Sequence, residues 1–411
     1  MFYLVINVFN DSNQRLSADE IIQKLIIGSK NKPAIVVFSP DDTMDKKTLG
    51  DVLPRFPKTC IGLQLRMVAS LENTEESIEW LEALCALLPP HLRILDASCM
   101  IHYSVSYELK IRFMKALPKT LDLLNLYNNH LSYGLNQSQL CALLANLQGA
   151  RGLDLRENNV PEPGSGENYK PISYIPSSCT TLYTELKESS KLTKNLLKTL
   201  PPQVNILGIE GYQLTILHSF EKHIPPTLTT LRLLSLPNTL YIIPRTFSTL
   251  DLTGCGLNET FSLANIPPYV TTLILDNLSN SLKTAKQWLT MIQSIPLTVT
   301  HVSLKGNNIF RNRKPQQRDE MLRALQPYNQ NGRLNLLDNC DDDWARAALP
   351  LINGVEQNIV PNMDCAFHIA TFLGAKSLTL FCSLQRKTRV IQHEVNEIKE
   401  TQNVCHSNDL F

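Results

Sequence analysis

The sequence predicts an α/β solenoid, with a parallel sheet along one face of a coil of repeats and helices and irregular turns on the other. Three observations carry this reading. Leucine occupies 66 of 411 positions and does so periodically. A short apolar phrase recurs, closely or loosely, from residues 60, 92, 121, 150, 179, 204, 228, 247, 270, 299 and 331. Proline precedes most copies, as in Pro-Pro-His-Leu, Pro-Lys-Thr-Leu, Pro-Pro-Gln-Val, Pro-Pro-Thr-Leu and Pro-Pro-Tyr-Val. Successive starts lie 19 to 32 residues apart, room for one strand and one return segment. Such a unit cannot bury its apolar side alone and must stack on the next.

The clearest copy places Leu121, Leu124 and Leu126 ahead of Asn129 and Leu131. Ala150, Leu153, Leu155, Asn158 and Val160 repeat it, as do Val299, Val302, Leu304, Asn307 and Ile309. Phe247, Leu250, Leu252, Cys255 and Leu257 carry Cys at the Asn place. This is the leucine-rich-repeat template, so the fold class is a leucine-rich-repeat solenoid. Its strand turns Leu inward and the intervening residues outward, while Asn129, Asn158 and Asn307 bond backbone groups where the chain leaves the strand.

Taken in order, two strands fit upstream of the first copy, at 4–6 and 35–37. Apolar residues at helical spacing predict returning helices over 76–88, 138–147, 186–200, 285–295 and 318–325. The repeats between 204 and 270 are too short for full helices and are expected to return by extended or 3₁₀ turns. Proline ends each return and sets the approach to the strand without using a ladder donor. Residues 161–171 form a loop insertion. The organisation expected is a solenoid over 1–340, a small helical module over 341–392 and an acidic tail over 393–411.

Composition excludes several classes of function. Lys plus Arg number 39 and Asp plus Glu 38, against the basic excess of an electrostatic nucleic-acid binder or a polybasic membrane protein. No apolar run approaches the roughly 20 residues of a membrane helix. Residues 1–9 are apolar but lack a basic lead and are interrupted by Asn7, so no N-terminal signal peptide is expected. Ten scattered cysteines without a Cys-x-x-Cys fit buried free thiols in a reducing compartment, with neither metal nor cofactor.

In correct register the outward positions include Arg66, Arg93, Asp96, Asn125, Tyr127, Asp154, Arg156, Glu210, Arg232, Asp251, Asp276 and Lys305. A concave sheet of mixed charge with Tyr and Arg anchors suits recognition of a protein. No Ser/His/Asp phrase, no His-Glu-x-x-His and no P-loop occurs, so no enzyme is expected.

The Pro-Pro-x-Leu phrasing before the strands resembles the leucine-rich repeats of bacterial effector proteins, and the long repeats resemble the ribonuclease-inhibitor subtype. Some such effectors carry a ubiquitin ligase with a Cys-x-Asp nucleophile. Cys340-Asp341-Asp342 matches those letters, but the residues after it are too few for that domain. Pro361, Ile369, Leu373, Leu378 and Phe381 fall close to the apolar pattern of an F-box, the module that docks on the Skp adaptor of cullin ubiquitin ligases. An extra residue before Ile369, and no Cys followed by Trp around 385–388, depart from it. The segment is therefore either F-box-like or a cap on the solenoid. Glu394, Glu397 and Glu400 are similar to the glutamate block of type IV secreted effectors of Legionella-type bacteria. Together these resemblances imply an effector secreted by a type IV system into the host-cell cytoplasm. There it would hold a host protein, either bridging it to the ubiquitin machinery or acting as a stand-alone binder or inhibitor.

Overall fold

The structure, a computed structural model, describes residues 2–6, 16–29, 33–38, 46–65, 72–147, 149–158, 175–186, 188, 190–237, 239–257, 261–278, 282, 284–310, 313–328 and 334–336. The chain divides into two compact units, Met1–Leu250 and Asp251–Phe411. Pro361, Ile369, Leu373, Leu378 and Phe381, and the tail, lie outside the described residues.

The first unit holds parallel strands that pair in chain order. They are β1 (Phe2–Ile6), β2 (Ala34–Phe38), β3 (Cys60–Gln64), β4 (Ile94–Asp96), β5 (Leu123–Asn125), β6 (Gly152–Asp154), β7 (Thr181–Tyr183), β8 (Ile206–Ile209) and β9 (Thr230–Leu233). The two strands expected upstream of the first copy are thus β1 and β2. Register aligns Leu63, Leu95, Leu124, Leu153, Leu182, Leu207 and Leu231 in one column, every member at most 1% exposed. The neighbouring column, Gln64, Asp96, Asn125, Asp154, Tyr183, Gly208 and Arg232, takes the opposite face. This alternation is the strand period of two, and it fixes register because a one-residue slip would exchange the columns. The leucine-rich-repeat solenoid is therefore the observed architecture.

β10 (Thr249–Asp251) spans the division. In the second unit β11 (Thr272–Ile274), β12 (His301–Ser303) and β13 (Leu334–Asn335) pair in parallel, with Leu273 opposite Val302 and Val302 opposite Leu334.

Eight return segments end in one recurrent turn. The carbonyls of Pro57, Pro89, Pro176, Pro201, Pro225, Pro244, Pro267 and Pro296 accept from the N–H three residues on, at 2.8 to 3.1 Å. The donors are Cys60, Leu92, Cys179, Val204, Leu228, Phe247, Val270 and Val299, each the first residue of a repeat and each buried. Proline thus delivers one apolar anchor per repeat to the core as well as ending the helix.

The far end of the strand is equally regular. Cys99, Asn128, Glu157, Gly254, Asn277 and Gly306 share one place, four residues past the core leucine column, and all have φ between 51° and 77°. The N–H groups of Cys99, Asn128, Gly254 and Asn277 continue the ladder, for example Asn128 to the Arg156 carbonyl at 3.0 Å. The next place carries the asparagine ladder. Asn129 accepts from Met100 N (2.7 Å) and Ile101 N (2.8 Å) and donates to the Ala97 carbonyl (2.8 Å). Asn158 and Asn307 serve the repeat before their own in the same way.

On the other face lie α1 (Ala18–Ser29), α2 (Lys46–Val52), α3 (Glu75–Ala86), α4 (Tyr107–Ala116), α5 (Gln137–Leu144), α6 (Ser190–Thr199) and α7 (Leu214–Ser219) in the first unit. α8 (Ala285–Gln293) and α9 (Pro315–Leu325) lie in the second. Side-chain caps start several of them: Thr74 for α3, Ser106 for α4, Asn136 with Gln139 for α5 and Thr284 with Gln287 for α8. α3 buries Ile78, Leu81 and Leu84, each worth about 1.5–3 kcal/mol of transfer free energy. The five expected helices are α3, α5, α6, α8 and α9. Between 204 and 270 the returns shrink, but the first keeps a six-residue α-helix, α7, between 3₁₀ turns where only extended or 3₁₀ turns were expected, and a later one is the 3₁₀ turn Leu263–Asn265.

α4 was not foreseen from the periodicity. Its buried face includes Lys110, which is fully buried and donates to the carbonyls of His130 (3.0 Å) and Tyr133 (3.2 Å). Burial pulls its pKa down to about 8. Burial likewise raises the thiol of Cys60 to about 11 and those of Cys85 and Cys179 to about 12. The described cysteines are all free. No helix of the described residues is long and apolar enough to cross a membrane.

Candidate functional site

The outward side chains at the ends of β4, β5, β6 and β10 first have a local task. Asp96, Asn125, Asp154 and Asp251 each accept the N–H two residues on, at 2.8 to 3.2 Å. These are Asx turns, in which a short polar side chain bends the chain out of the strand. Lateral bonds then tie the columns together. Asp96 accepts from Gln64 Nε2 (2.9 Å) and Asn125 Nδ2 (3.0 Å), and Arg93 bonds Asp122 at 2.6 Å. That last pair is half-exposed and contributes at most about 1 kcal/mol. Further along, Arg232 lies over the Tyr183 ring, 5.5 Å from its centroid, and donates to the Tyr183 hydroxyl at 2.9 Å. Gly208 stands between them in the column, and a Cβ there would collide with the Tyr183 ring.

Four of the expected site residues, Asn125, Tyr127, Arg156 and Glu210, come together at the ends of β5 to β8, where they line a cleft of about 350 Å³. Asp154 sits beneath them, 6% exposed. Arg156 organises the cleft. Its Nε and Nη2 bond Asp154 at 3.0 and 2.8 Å, its Nη1 bonds Glu210 at 2.6 Å, and its guanidinium lies 5.3 Å from the Tyr127 ring centroid. Burial works against that charge, and the two carboxylates outweigh it, holding Arg156 above its ordinary pKa.

Glu157, Glu185, Tyr212 and Gln213 complete the lining and were not anticipated. Glu185 occupies the place of Tyr127 and Arg156, two residues past the strand, so repeat phase alone could have found it in the irregular copy beginning at Cys179. Glu157 holds φ at +57°, a conformation that disfavours a side chain. Tyr212 is 61% exposed and follows β8 in a 3₁₀ turn. Burial raises its hydroxyl pKa, and Glu185, Glu157 and Glu210 add to the rise. Tyr127 is raised in the same direction, again by burial first and then by Glu157.

The other expected residues stand apart from the cleft. Arg66 lies outside the described residues. In the second unit, Asp276 accepts from Ser303 Oγ (2.6 Å) and Lys305 N (2.8 Å), so it too is engaged with the neighbouring repeat. A second cavity there, about 450 Å³, is lined by Phe261, Leu282, Met291 and polar residues of α8. Among the described residues no three His, Cys, Asp or Glu side chains are placed to hold a metal ion.

No family model matches this chain, and neither does any curated protein. Among solved structures, the leucine-rich repeat-containing protein LegL7 from Legionella pneumophila is similar, with a TM-score of 0.35 and 16% identity. The match covers 78% of this chain and 87% of that one. A likeness at that level carries no argument about function, and the solenoid reading rests on the register, the proline turns and the asparagine ladder.

Proposed function

We propose that the chain is a binding protein, not an enzyme, that holds a protein partner on the outward face of its first unit, from Gln64 to Arg232. The observation that carries this is the cross-bonded polar column running into the Tyr127–Arg156 cleft. Its side chains are already fixed by lateral hydrogen bonds, so a partner orders few of them on binding, and that saving in entropy favours association. The sequence resemblances extend the proposal. The partner is a host protein met after type IV secretion into the host cytoplasm, and residues 341–392 recruit the Skp adaptor of a cullin ligase. A stand-alone binder or inhibitor, with that segment as a cap, is the other reading of the same resemblance.

The test is capture from host-cell lysate by the purified chain. One variant reverses two exposed charges outside the cleft lining, Arg93, which also pairs with Asp122, and Arg151 just ahead of β6, as Arg93→Glu with Arg151→Glu, and a second lacks residues 341–411. Loss of capture by the first, with the melting temperature lowered by no more than a few degrees, is the expected result. Unimpaired capture would place the partner elsewhere and defeat the proposal. Skp and cullin recovered only with the full chain would support the bridging role.

A further inference from the structure

We draw no further inference here: the strongest candidate, the exposed aromatic patch where the chain runs from β4 to α4 and from β5 to α5, in which Tyr103 packs against His102, His130 and Tyr133, is an unpartnered face, and nothing in the structure shows what covers it.

Discussion

Replacing Arg156 by methionine removes a guanidinium while keeping an unbranched apolar stem of similar reach. Four charge-assisted bonds disappear, at 3.0, 3.3 and 2.8 Å to Asp154 and 2.6 Å to Glu210. Asp154 then stays beneath the cleft with its side chain 8% exposed and only the Arg156 backbone N–H, at 3.2 Å, donating to it. Breaking a buried pair from one side costs about 3–5 kcal/mol. The retained backbone donor and the part-exposed Glu210 put the expected loss nearer 2–3 kcal/mol by the same rule. Asp154→Asn removes the stranded charge, so the double variant should recover about 1–2 kcal/mol, the size of coupling seen between contacting residues. Urea unfolding followed by circular dichroism measures each corner of that cycle, with equal slopes required before midpoints are compared. A cost below about 1 kcal/mol for Arg156→Met, or strict additivity in the double variant, would refute the view that Arg156 is anchored from below. The same reasoning makes Arg156 a poor probe of partner binding, since its loss disturbs the sheet as well as the surface.

Three further perturbations address other levels of the structure. Asn129→Leu leaves the Met100 and Ile101 N–H groups and the Ala97 carbonyl buried without their partner. It should cost roughly 3 kcal/mol or more in urea unfolding, and hydrogen exchange should show the loss centred on residues 97–101. Lys110 has a folded pKa of about 8 against an ordinary 10.5, so between those values the unfolded chain holds the extra proton and stability rises with pH. Unfolding measured from pH 8 to 10.5 should show a gain of up to roughly 3 kcal/mol that Lys110→Met lacks. Glu157→Gly relieves a positive φ at a place where the second unit uses Gly254 and Gly306. It should stabilise the chain by about 1 kcal/mol in urea unfolding.

The repeat was legible because its anchors are chemically uniform. The phrase starts from Cys60 to Val299 are all buried, and three of the strand-exit asparagines bond as their spacing implied. Helix α4 was hidden by Lys110, a charge on the face that periodicity requires to be apolar. On the outward face the sequence identified polar positions but could not separate their tasks. Asp96, Asn125, Asp154 and Asp251 read as recognition residues, yet each also closes an Asx turn at the end of its strand. The cleft was half legible: Tyr127, Arg156 and Glu210 follow strand phase. Glu157 and Tyr212 reach it through a left-handed residue and a 3₁₀ turn, geometry that residue spacing does not encode.

The proline turn and the left-handed strand exit act as two clips around strands that, from β3 to β9, keep one register whatever arc joins them. Between the clips the arc can be a 12-residue helix, a single helical turn or a 3₁₀ corner, and the next strand still arrives in place. Length is thus a free variable on the back of the coil and a forbidden one on its front. An insertion tag, a fluorescent reporter or a transplanted helix therefore belongs in an arc, where the molecule already tolerates a range from 19 to 32 residues per repeat.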